Sequence, residues 1–344
     1  MGFSIVRFVL AIFSAAAVSA ACAQPRPEMP KIIVSQSGAG DPTFYTPYYV
    51  AQAKGFFREQ GLEVSADGVP GIQELAVVLS GQAQFTAVTS FSILSASKGR
   101  YLTTVAGVIY QYGVDLVLSN AVITKLRVSR TDPIAKRIEA LRGLKIGISA
   151  IGSGMDTFAR YVLPRYGVQP DKDVTLVTLG SCTAMLAALQ SGNIDGYLCG
   201  PPGPQEAEAK GLGKVILSAT AGEVPDVRGV LYSGYFARPD FIQQNPNTVQ
   251  AFVNAIAKAL KYIQQNPAEA AAITHQVNPS YDSAVSATTF EAYLKAFADT
   301  PVIPVDSMIR AIEVMKTTTP SVAQVDANKL IDNSFARRAA ALVR

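Results

Sequence analysis

The segment Lys31-Ile-Ile-Val-Ser35 decides the fold, because the chain returns to it as Lys145-Ile-Gly-Ile-Ser149 and then repeats the elements that follow. Each copy continues with a Val-rich strand and an apolar helix closed by a Ser-Gly turn, at Ser80-Gly81 and at Ser191-Gly192. A short buried strand follows each turn. Such internal repeats build similar structural units. The sequence therefore predicts an α/β fold of two lobes, with a cleft between them of the kind that holds small ligands.

The length and composition support two hydrophobic cores and exclude some classes of partner. At 344 residues the chain exceeds the size at which one core keeps growing. Its hydrophobic fraction is 49% and its charged fraction is 16%, so apolar side chains are sufficient for two cores. The net charge is only +4, and Lys and Arg form no dense run. We therefore expect no nucleic-acid partner.

The first residues have the features of a secretory signal peptide. Arg7 supplies a positive charge, Phe8–Val18 is an apolar stretch too short to span a bilayer, and Ala21-Cys22-Ala23 is a cleavage site. We predict that residues 1–23 are removed on export. An alternative interpretation makes Cys22 a lipidated N-terminus, but the Leu that usually stands three positions earlier is missing, so this interpretation ranks lower. No other segment is apolar enough to predict a membrane span.

The order of the predicted elements gives one discontinuous lobe and one inserted lobe. We predict that lobe I comprises residues 31–118 and 218–344, and that lobe II comprises residues 119–217. Asn245-Pro246 begins an amphipathic helix in the last part of the chain, which is helical. We expect these C-terminal helices to fold back over lobe I, so that two segments of chain cross between the lobes.

The cysteines and the single histidine carry little functional information. Cys182 and Cys199 both lie near predicted strand ends in lobe II. In an oxidising compartment they would pair, and the alternative interpretation is two small buried hydrophobic residues. His275 lies in an Ala-rich helix, and no spacing typical of metal ligands is present. We therefore predict no metal site, and the sequence leaves the disulfide open.

Candidate ligand-binding residues follow from the rule that ligands of open α/β sheets sit at the carboxyl ends of strands. The residues that the rule selects are hydroxyls, glycines and aromatic rings, which suit binding because rings cover a ligand and hydroxyls orient it. They are Ser37, Gly38, Phe44, Tyr45, Thr46, Ser90, Phe91, Gly152, Ser153, Gly154, Gly200 and Pro201. Tyr232 or Tyr235 joins them, because only one of the two faces the cleft from a strand.

The segment Gly152-Ser153-Gly154 has two interpretations. It stands between a strand and a helix start, so its N–H groups would suit an anionic oxygen of a ligand. It equally suits an ordinary helix N-cap, with glycines allowing the turn. The repeat places it opposite Ser37, which favours the first interpretation without excluding the second.

The sequence gives little support for an enzyme. No Ser–His or Cys–His arrangement is evident, because His275 lies far from the strand-end loops. The acidic residues near strand ends, Asp41, Asp156 and Asp195, are scattered rather than paired. No phosphate loop or dinucleotide fingerprint is present, so we predict no cofactor. Binding is therefore the first hypothesis.

Three motifs resemble a known family. Ala51-Gln-Ala-Lys-Gly-Phe-Phe-Arg-Glu-Gln-Gly-Leu62 resembles the segment after the first strand of nitrate/sulfonate/taurine-type substrate-binding proteins of ABC importers, a superfamily that includes binders of thiamine-precursor pyrimidines. Leu141–Ile148 and Ala187–Asp195 are similar to its second-lobe motifs. The resemblance implies a periplasmic type II binding-protein fold with a hinge. It also implies a monomer that closes on its ligand and delivers it to a membrane permease driven by an ATPase.

One departure from the family concerns the ligand. Family members that bind small oxyanions often place a basic side chain in the cleft, but no predicted loop tip here carries Lys or Arg, and Arg228 is the nearest candidate. A neutral, aromatic or weakly acidic organic ligand therefore fits as well as a sulfonate. The alternatives from other classes are a lyase or decarboxylase of aromatic acids on the same fold, and a ligand-sensing partner of a membrane receptor.

Overall fold

The computed structural model describes most of the chain. The described residues are 25–36, 42–69, 72–277, 279 and 281–343. The predicted signal peptide of residues 1–23, the lipidation hypothesis for Cys22 and the candidate ligand residues Ser37 and Gly38 lie outside these ranges. Within them, no helix has the length and hydropathy of a membrane-spanning segment.

Ten strands are described, and they form two five-stranded sheets. Their bounds are β1 Lys31–Ser35, β2 Glu63–Ala66, β3 Phe85–Val88, β4 Thr103–Ile109, β5 Asp115–Ser119, β6 Lys145–Ile148, β7 Thr175–Thr178, β8 Gly196–Cys199, β9 Gly213–Ser218 and β10 Ser233–Ala237. The first sheet has the order β2-β1-β3-β10-β4, and the second has the order β7-β6-β8-β5-β9. The repeated segments therefore occupy matching positions, as β1 and β6, which confirms the predicted two-lobed α/β fold.

Helices cover the sheets. Their bounds are α1 Thr46–Ala53, α2 Phe56–Glu59, α3 Gln73–Ser80, α4 Thr89–Ser97, α5 Asn120–Leu126, α6 Ile134–Glu139, α7 Gly154–Val162, α8 Cys182–Gln190, α9 Gly203–Ala209, α10 Pro239–Gln244, α11 Pro246–Gln265, α12 Pro267–Val277, α13 Ser283–Leu294, α14 Val305–Lys316 and α15 Asn333–Leu342. Short 3₁₀ turns, including Pro42–Tyr45 and Pro320–Gln324, connect several of them.

One strand in each sheet runs against its neighbours. Strand β10 is antiparallel to β3 and β4, and strand β5 is antiparallel to β8 and β9, whereas β1 and β6 pair in parallel on both sides. Strand β5 follows β4 in the chain but belongs to the second sheet. The sequence predicts that residues 115–118 belong to lobe I. Their partners β8 and β9 come much later in the chain, and the sequence does not reveal this pairing. By sheet membership, the chain crosses between lobes at residues 110–114 and 219–232.

Hydrogen bonds join the two crossing segments to each other. The backbone N–H of Gly229 donates to the carbonyl of Tyr110 (3.0 Å), and the N–H of Ala219 donates to the carbonyl of Val114 (3.2 Å). Asp115, at the start of β5, is fully buried. Its carboxylate accepts hydrogen bonds from the Ser218 hydroxyl (2.8 Å) and from the N–H of Thr220 (3.1 Å). One carboxylate therefore fixes the outgoing chain to the returning chain.

The burial of Asp115 changes its titration. Burial raises its pKa from the ordinary 3.8 to about 6, although the hydrogen bonds from Ser218 and Thr220 act in the opposite direction. The protonated form is therefore favoured more in the folded protein than in the unfolded chain.

The core of the first lobe is built on the long helix α11. Its periodic apolar residues are buried as the sequence predicts, and Phe252 lies at the centre. The Phe252 ring stacks on Phe85 (centroids 4.2 Å apart) and on Phe57 (5.5 Å). Tyr235 from β10 meets the same ring edge to face (4.9 Å). This cluster fixes α11 and α2 against the sheet.

The C-terminal helices contact both lobes. Helix α14 packs against α4 of the first lobe and against α7 of the second, and α13 packs against α9. The hydroxyls of Thr157 in α7 and Thr318 after α14 lie 2.7 Å apart. The sequence placed these helices over lobe I, whereas in the structure they also close one side of the cleft, because their second faces meet helices of lobe II.

We expect Phe252→Ala to lower the free energy of unfolding by about 3–5 kcal/mol, because it removes a ring that three aromatic neighbours enclose. Urea unfolding followed by circular dichroism measures the change. Leu342→Ala is the control, since Leu342 is 58% exposed and its loss should cost within about 0.5 kcal/mol. Equal effects of the two changes would contradict the central place of Phe252.

We expect Asp115→Asn to alter the pH dependence of stability. The folded pKa is raised, so the group contributes stability below about pH 4 and loses that contribution as the pH rises through about 6. The free energy of unfolding of the wild type, minus that of the variant, should therefore fall by on the order of 3 kcal/mol between about pH 4 and about pH 7.

Urea unfolding at a series of pH values tests this expectation. The control is Asp299→Asn, which removes one exposed carboxylate. A difference for Asp115→Asn that stays constant or rises with pH would show that the pKa of Asp115 is not raised.

Candidate binding cleft

A cavity of about 700 Å³ lies between the two sheets. Its walls come from strand-end loops of both lobes, its floor comes from the two crossing segments, and one side comes from the end of α14. The first lobe contributes residues of the 42–45 turn and of the start of α4. The second contributes some of the residues within 149–157 and 200–206, together with residues 181–183. The volume lies within the range typical of sites for small organic ligands.

A continuous path of aromatic rings crosses the cavity from one lobe to the other. Tyr45 contacts Phe44 (centroids 4.8 Å apart), and Phe44 contacts Tyr232 on the returning crossing segment (5.9 Å). Tyr232 contacts Tyr112 on the outgoing segment (5.1 Å), and Tyr112 contacts Phe158 in α7 (5.8 Å). Ring contacts therefore run from the first lobe through the hinge to the second.

The position of this path depends on a glycine. A Cβ on Gly113 would lie 2.4 Å from a ring carbon of Tyr232, which is closer than side-chain atoms approach. Gly113 therefore makes room for the Tyr232 ring. Tyr112, its neighbour, donates its hydroxyl to the carbonyl of Gly154 (3.1 Å). Burial raises the pKa of the Tyr112 hydroxyl, so this group stays a neutral donor.

Most of the predicted ligand residues that the structure describes line this cavity. The residues on its wall are Phe44, Tyr45, Ser90, Phe91, Gly152, Gly154, Gly200, Pro201 and Tyr232. Of the tyrosine pair, Tyr232 lines the cavity, whereas Tyr235 is buried in the core beside Phe252. Thr89, next to Ser90, also lines the cavity.

Two predicted residues have structural contacts instead. Thr46 is buried, donates its hydroxyl to the carbonyl of Thr43 (2.9 Å) and lies 3.0 Å from the hydroxyl of Thr274. Ser153 is the N-cap of α7, and its hydroxyl accepts a hydrogen bond from the N–H of Asp156. Neither is among the residues that line the cavity. The strand-end rule selects a loop, but local hydrogen bonds decide which side chains of the loop face the ligand.

The loop before α7 is already partly satisfied by the protein. The N–H of Gly152 donates to the carboxylate of Asp156 (2.8 Å), and the N–H of Ser153 donates to the carbonyl of Ala150 (3.2 Å). Asp156 is 0% exposed and pairs with Arg160 (2.8 Å). Ser153 therefore acts as an ordinary N-cap. The N–H of Gly152 is bound by a carboxylate of the chain itself.

The sequence missed several residues on the cavity wall. Glu74 comes from α3, Tyr112 from the outgoing crossing segment, Met315 from the end of α14 and Thr318 from the residues after it. Glu74 lies inside a helix rather than in the loop directly after β2, Tyr112 follows the antiparallel strand β4, and the last two residues follow no strand. The strand-end rule therefore does not select them.

The ionisable side chains of the cavity are acidic. Among the described lining residues, Glu74 and Glu206 carry carboxyl groups, and Lys, Arg and His are absent. Arg228, the basic candidate from the sequence, is exposed and donates to the carbonyl of Gly222 (2.6 Å) rather than lining the cavity.

A disulfide supports the wall on the second lobe. Cys182 and Cys199 are bonded, with their Cα atoms 6.0 Å apart, so the pairing interpretation holds in the structure. The bond joins the start of α8 to the end of β8. It therefore fixes the 181–183 and 200–206 segments of the wall relative to each other.

The described residues of the cavity do not form a catalytic nucleophile–base pair. Cys182 is bonded, and His275 lies between α12 and α13, where its Nδ1 is 2.9 Å from the Ser286 hydroxyl. Neither His275 nor Ser286 lines the cavity. Rings and hydroxyls of this kind suit the covering and orienting of a small molecule.

A cleft between two lobes of this topology defines the class of two-lobed ligand-binding proteins. The chain belongs to the NMT1-like family, whose pattern matches residues 36–278. Family membership and the solved structures with the same fold confirm the resemblance found in the sequence, because these relatives include ABC-type periplasmic ligand-binding proteins.

Individual relatives show both binding proteins and an enzyme. YtlA of Bacillus subtilis, named as a binding protein, is 26% identical over 88% of this chain and 85% of its own length. The periplasmic aliphatic sulphonate binding protein SsuA from Escherichia coli has the same fold, with a TM-score of 0.71, 15% identity and coverage of 89% and 92%. The THI13 4-amino-5-hydroxymethyl-2-methylpyrimidine phosphate synthase of Saccharomyces cerevisiae is 24% identical over 66% of this chain and 65% of its own.

We expect Gly113→Ala to destabilise the protein by roughly 1–3 kcal/mol, because the new methyl group displaces the Tyr232 ring. Gly154→Ala is the matched control, since the nearest atom to its Cβ is the Tyr112 hydroxyl at 3.7 Å, an ordinary contact. Urea unfolding measures both. In a Tyr232→Ala background, Gly113→Ala should lower the free energy of unfolding by much less than it does in the wild type. If the effects of the two substitutions simply add, the contact between Gly113 and Tyr232 is contradicted.

Proposed function

We propose that the protein is the substrate-binding component of an ABC importer. It captures a small organic ligand in the cleft by closure of its two lobes. The closed form then delivers the ligand to a membrane permease driven by a cytoplasmic ATPase. The proposal includes the predicted periplasmic location, for which the leader of residues 1–23 and the relatives provide support. It also includes the predicted monomeric state.

The observation that carries this proposal is the construction of the cavity. Both sheets contribute walls, and the floor is the pair of crossing segments at residues 110–114 and 219–232. A rotation of one lobe about these segments therefore changes the cavity itself, so ligand contacts with both walls favour the closed state. The path of rings from Tyr45 to Phe158 spans that junction.

The relatives provide additional support. YtlA is named as a binding protein, and SsuA from Escherichia coli is named as a periplasmic sulphonate binder. The synthase THI13 favours the second candidate, an enzyme on the same fold. The contents of the cavity weigh against it, because the described wall offers two carboxylates with no His or Lys to act with them. A ligand-sensing role with a membrane receptor uses the same closure and differs in the partner.

We expect one class of compound to stabilise the protein without being consumed. The panel contains alkyl and aryl sulfonates, nitrate, pyrimidines, aromatic carboxylates, dipeptides and organic amines, added to protein that has been unfolded, stripped of bound molecules and refolded. A ligand at about 100 times its Kd should add roughly 2.7 kcal/mol, which raises the Tm by several degrees. Mass spectrometry then checks that the compound is recovered unchanged.

If the stabilising compound is consumed, the binding hypothesis is wrong and the protein is an enzyme that uses this compound as its substrate. The absence of any stabilising compound would reject the cleft as a site for these classes. Closure is measured separately, by the distance between spin labels at Lys98→Cys and Lys172→Cys, two exposed positions on different lobes. The ligand should narrow the distribution of this distance, and an unchanged distribution would contradict a mechanism by closure.

A further inference from the structure

The charge of the cavity limits the ligands that it accepts. Glu74 is 1% exposed on the cavity wall. Its carboxylate accepts hydrogen bonds from the hydroxyls of Tyr45 (3.5 Å) and Thr86 (3.1 Å). Glu206 lines the opposite wall, and the described wall has no basic side chain. An anion in this cavity would lie near two carboxyl groups and no described basic side chain, and burying it there without a counter-charge would be costly.

The backbone site that would suit an anion is also in use. The N–H of Gly152 points to the Asp156 carboxylate at 2.8 Å, at the start of α7. Asp156 is buried and ion-paired with Arg160, and neither residue lines the cavity. A ligand oxyanion would have to displace this carboxylate to reach the Gly152 N–H. This N–H therefore binds the chain's own carboxylate.

Aromatic rings form much of the remaining wall. The rings that line the cavity are Phe44, Tyr45, Phe91, Tyr112, Tyr232, Tyr281 and Tyr293. The face of an aromatic ring carries partial negative charge and attracts cations that lie above it, most strongly where water is excluded. Aromatic rings and carboxylates both favour a ligand with a positive charge.

One buried hydroxyl of a residue on the wall has no hydrogen-bond partner among the described residues. Thr89 is 2% exposed and lines the cavity, and its Oγ1 has no hydrogen-bond partner among the described residues. Buried hydroxyls in folded proteins usually have a partner. A polar atom of the ligand satisfies this requirement.

We propose that the cleft binds an organic cation: an amine, a quaternary ammonium or a protonated nitrogen heterocycle with an aromatic or other apolar body. The charged nitrogen faces Glu74, the body lies against the rings, and a polar atom reaches Thr89. The inference rests on the proposed function and names the ligand class of that same site.

Three compounds of nearly the same shape and different charge test the sign of the ligand. They are naphthylethylammonium, naphthylethanol and naphthylacetate, which are cationic, neutral and anionic at neutral pH. Isothermal titration calorimetry of the wild-type protein measures Kd for each. We expect the cation to bind at least about tenfold more tightly than the neutral and anionic compounds, because each buried charge-assisted hydrogen bond has this magnitude.

A charge-removing variant tests the residue. Glu74→Gln keeps the shape of the side chain, so we expect the Kd of naphthylethylammonium to rise at least about tenfold and that of naphthylethanol to change less than about twofold. The matched control is Glu63→Gln, which removes an exposed carboxylate paired with Lys31 on the surface. It should leave all three affinities unchanged. If Glu74→Gln fails to fold, the comparison of the three compounds on the wild type decides the outcome alone.

Equal or tighter binding of the neutral or anionic compound would overturn the cation proposal while leaving the binding function standing. The cation proposal would also fail, and the binding function would stand, if none of the three compounds bound while a sulfonate or another anion of the wider panel stabilised the protein. Stabilisation by no compound at all would reject the proposed function itself. An equal loss of affinity for the cation in Glu74→Gln and Glu63→Gln would show that long-range charge, and not the cleft, attracts it.

Discussion

Each sheet is completed by an interior strand that runs against its neighbours and lies next to a crossing between the lobes. Strand β10 lies between β3 and β4, and strand β5 lies between β8 and β9. Because both strands need hydrogen-bond partners on both edges, the chain has to cross before either lobe is complete. The crossings are consequently held together, through Gly229 and Tyr110 and through Asp115 and Ser218. The cavity exists because these crossings form its floor and the lobes rise on each side.

The same crossings carry the rings that give the cavity its chemistry. Tyr112 and Tyr232 stand on different crossing segments and contact each other, and Gly113 makes the room that the second ring requires. The segments that join the lobes and the surface of the cavity therefore share residues. Under the proposed closure, a ligand that contacts these rings would contact the segments about which the lobes rotate, so binding would favour closure.

The polar groups of the cleft differ from those that an anion would favour. A loop before a helix offers N–H groups to an anion, but in this chain Asp156 takes the Gly152 N–H. Glu74 adds a carboxyl group to the wall, and the described wall has no basic side chain. The fold supplies the walls of the cleft, and under the cation proposal a small number of side chains sets the charge of the ligand.

The sequence by itself determined the two-lobed α/β fold, since strand and helix periodicity is local and the repeat of Lys31–Ser35 as Lys145–Ile148 is visible without a structure. It also placed the aromatic and glycine loops at strand ends. Only the tertiary structure decided that β5 belongs to the second sheet, that Tyr232 rather than Tyr235 lines the cleft, and that Glu74 enters it. These features depend on pairing and packing between residues far apart in the chain, and no local pattern encodes such contacts.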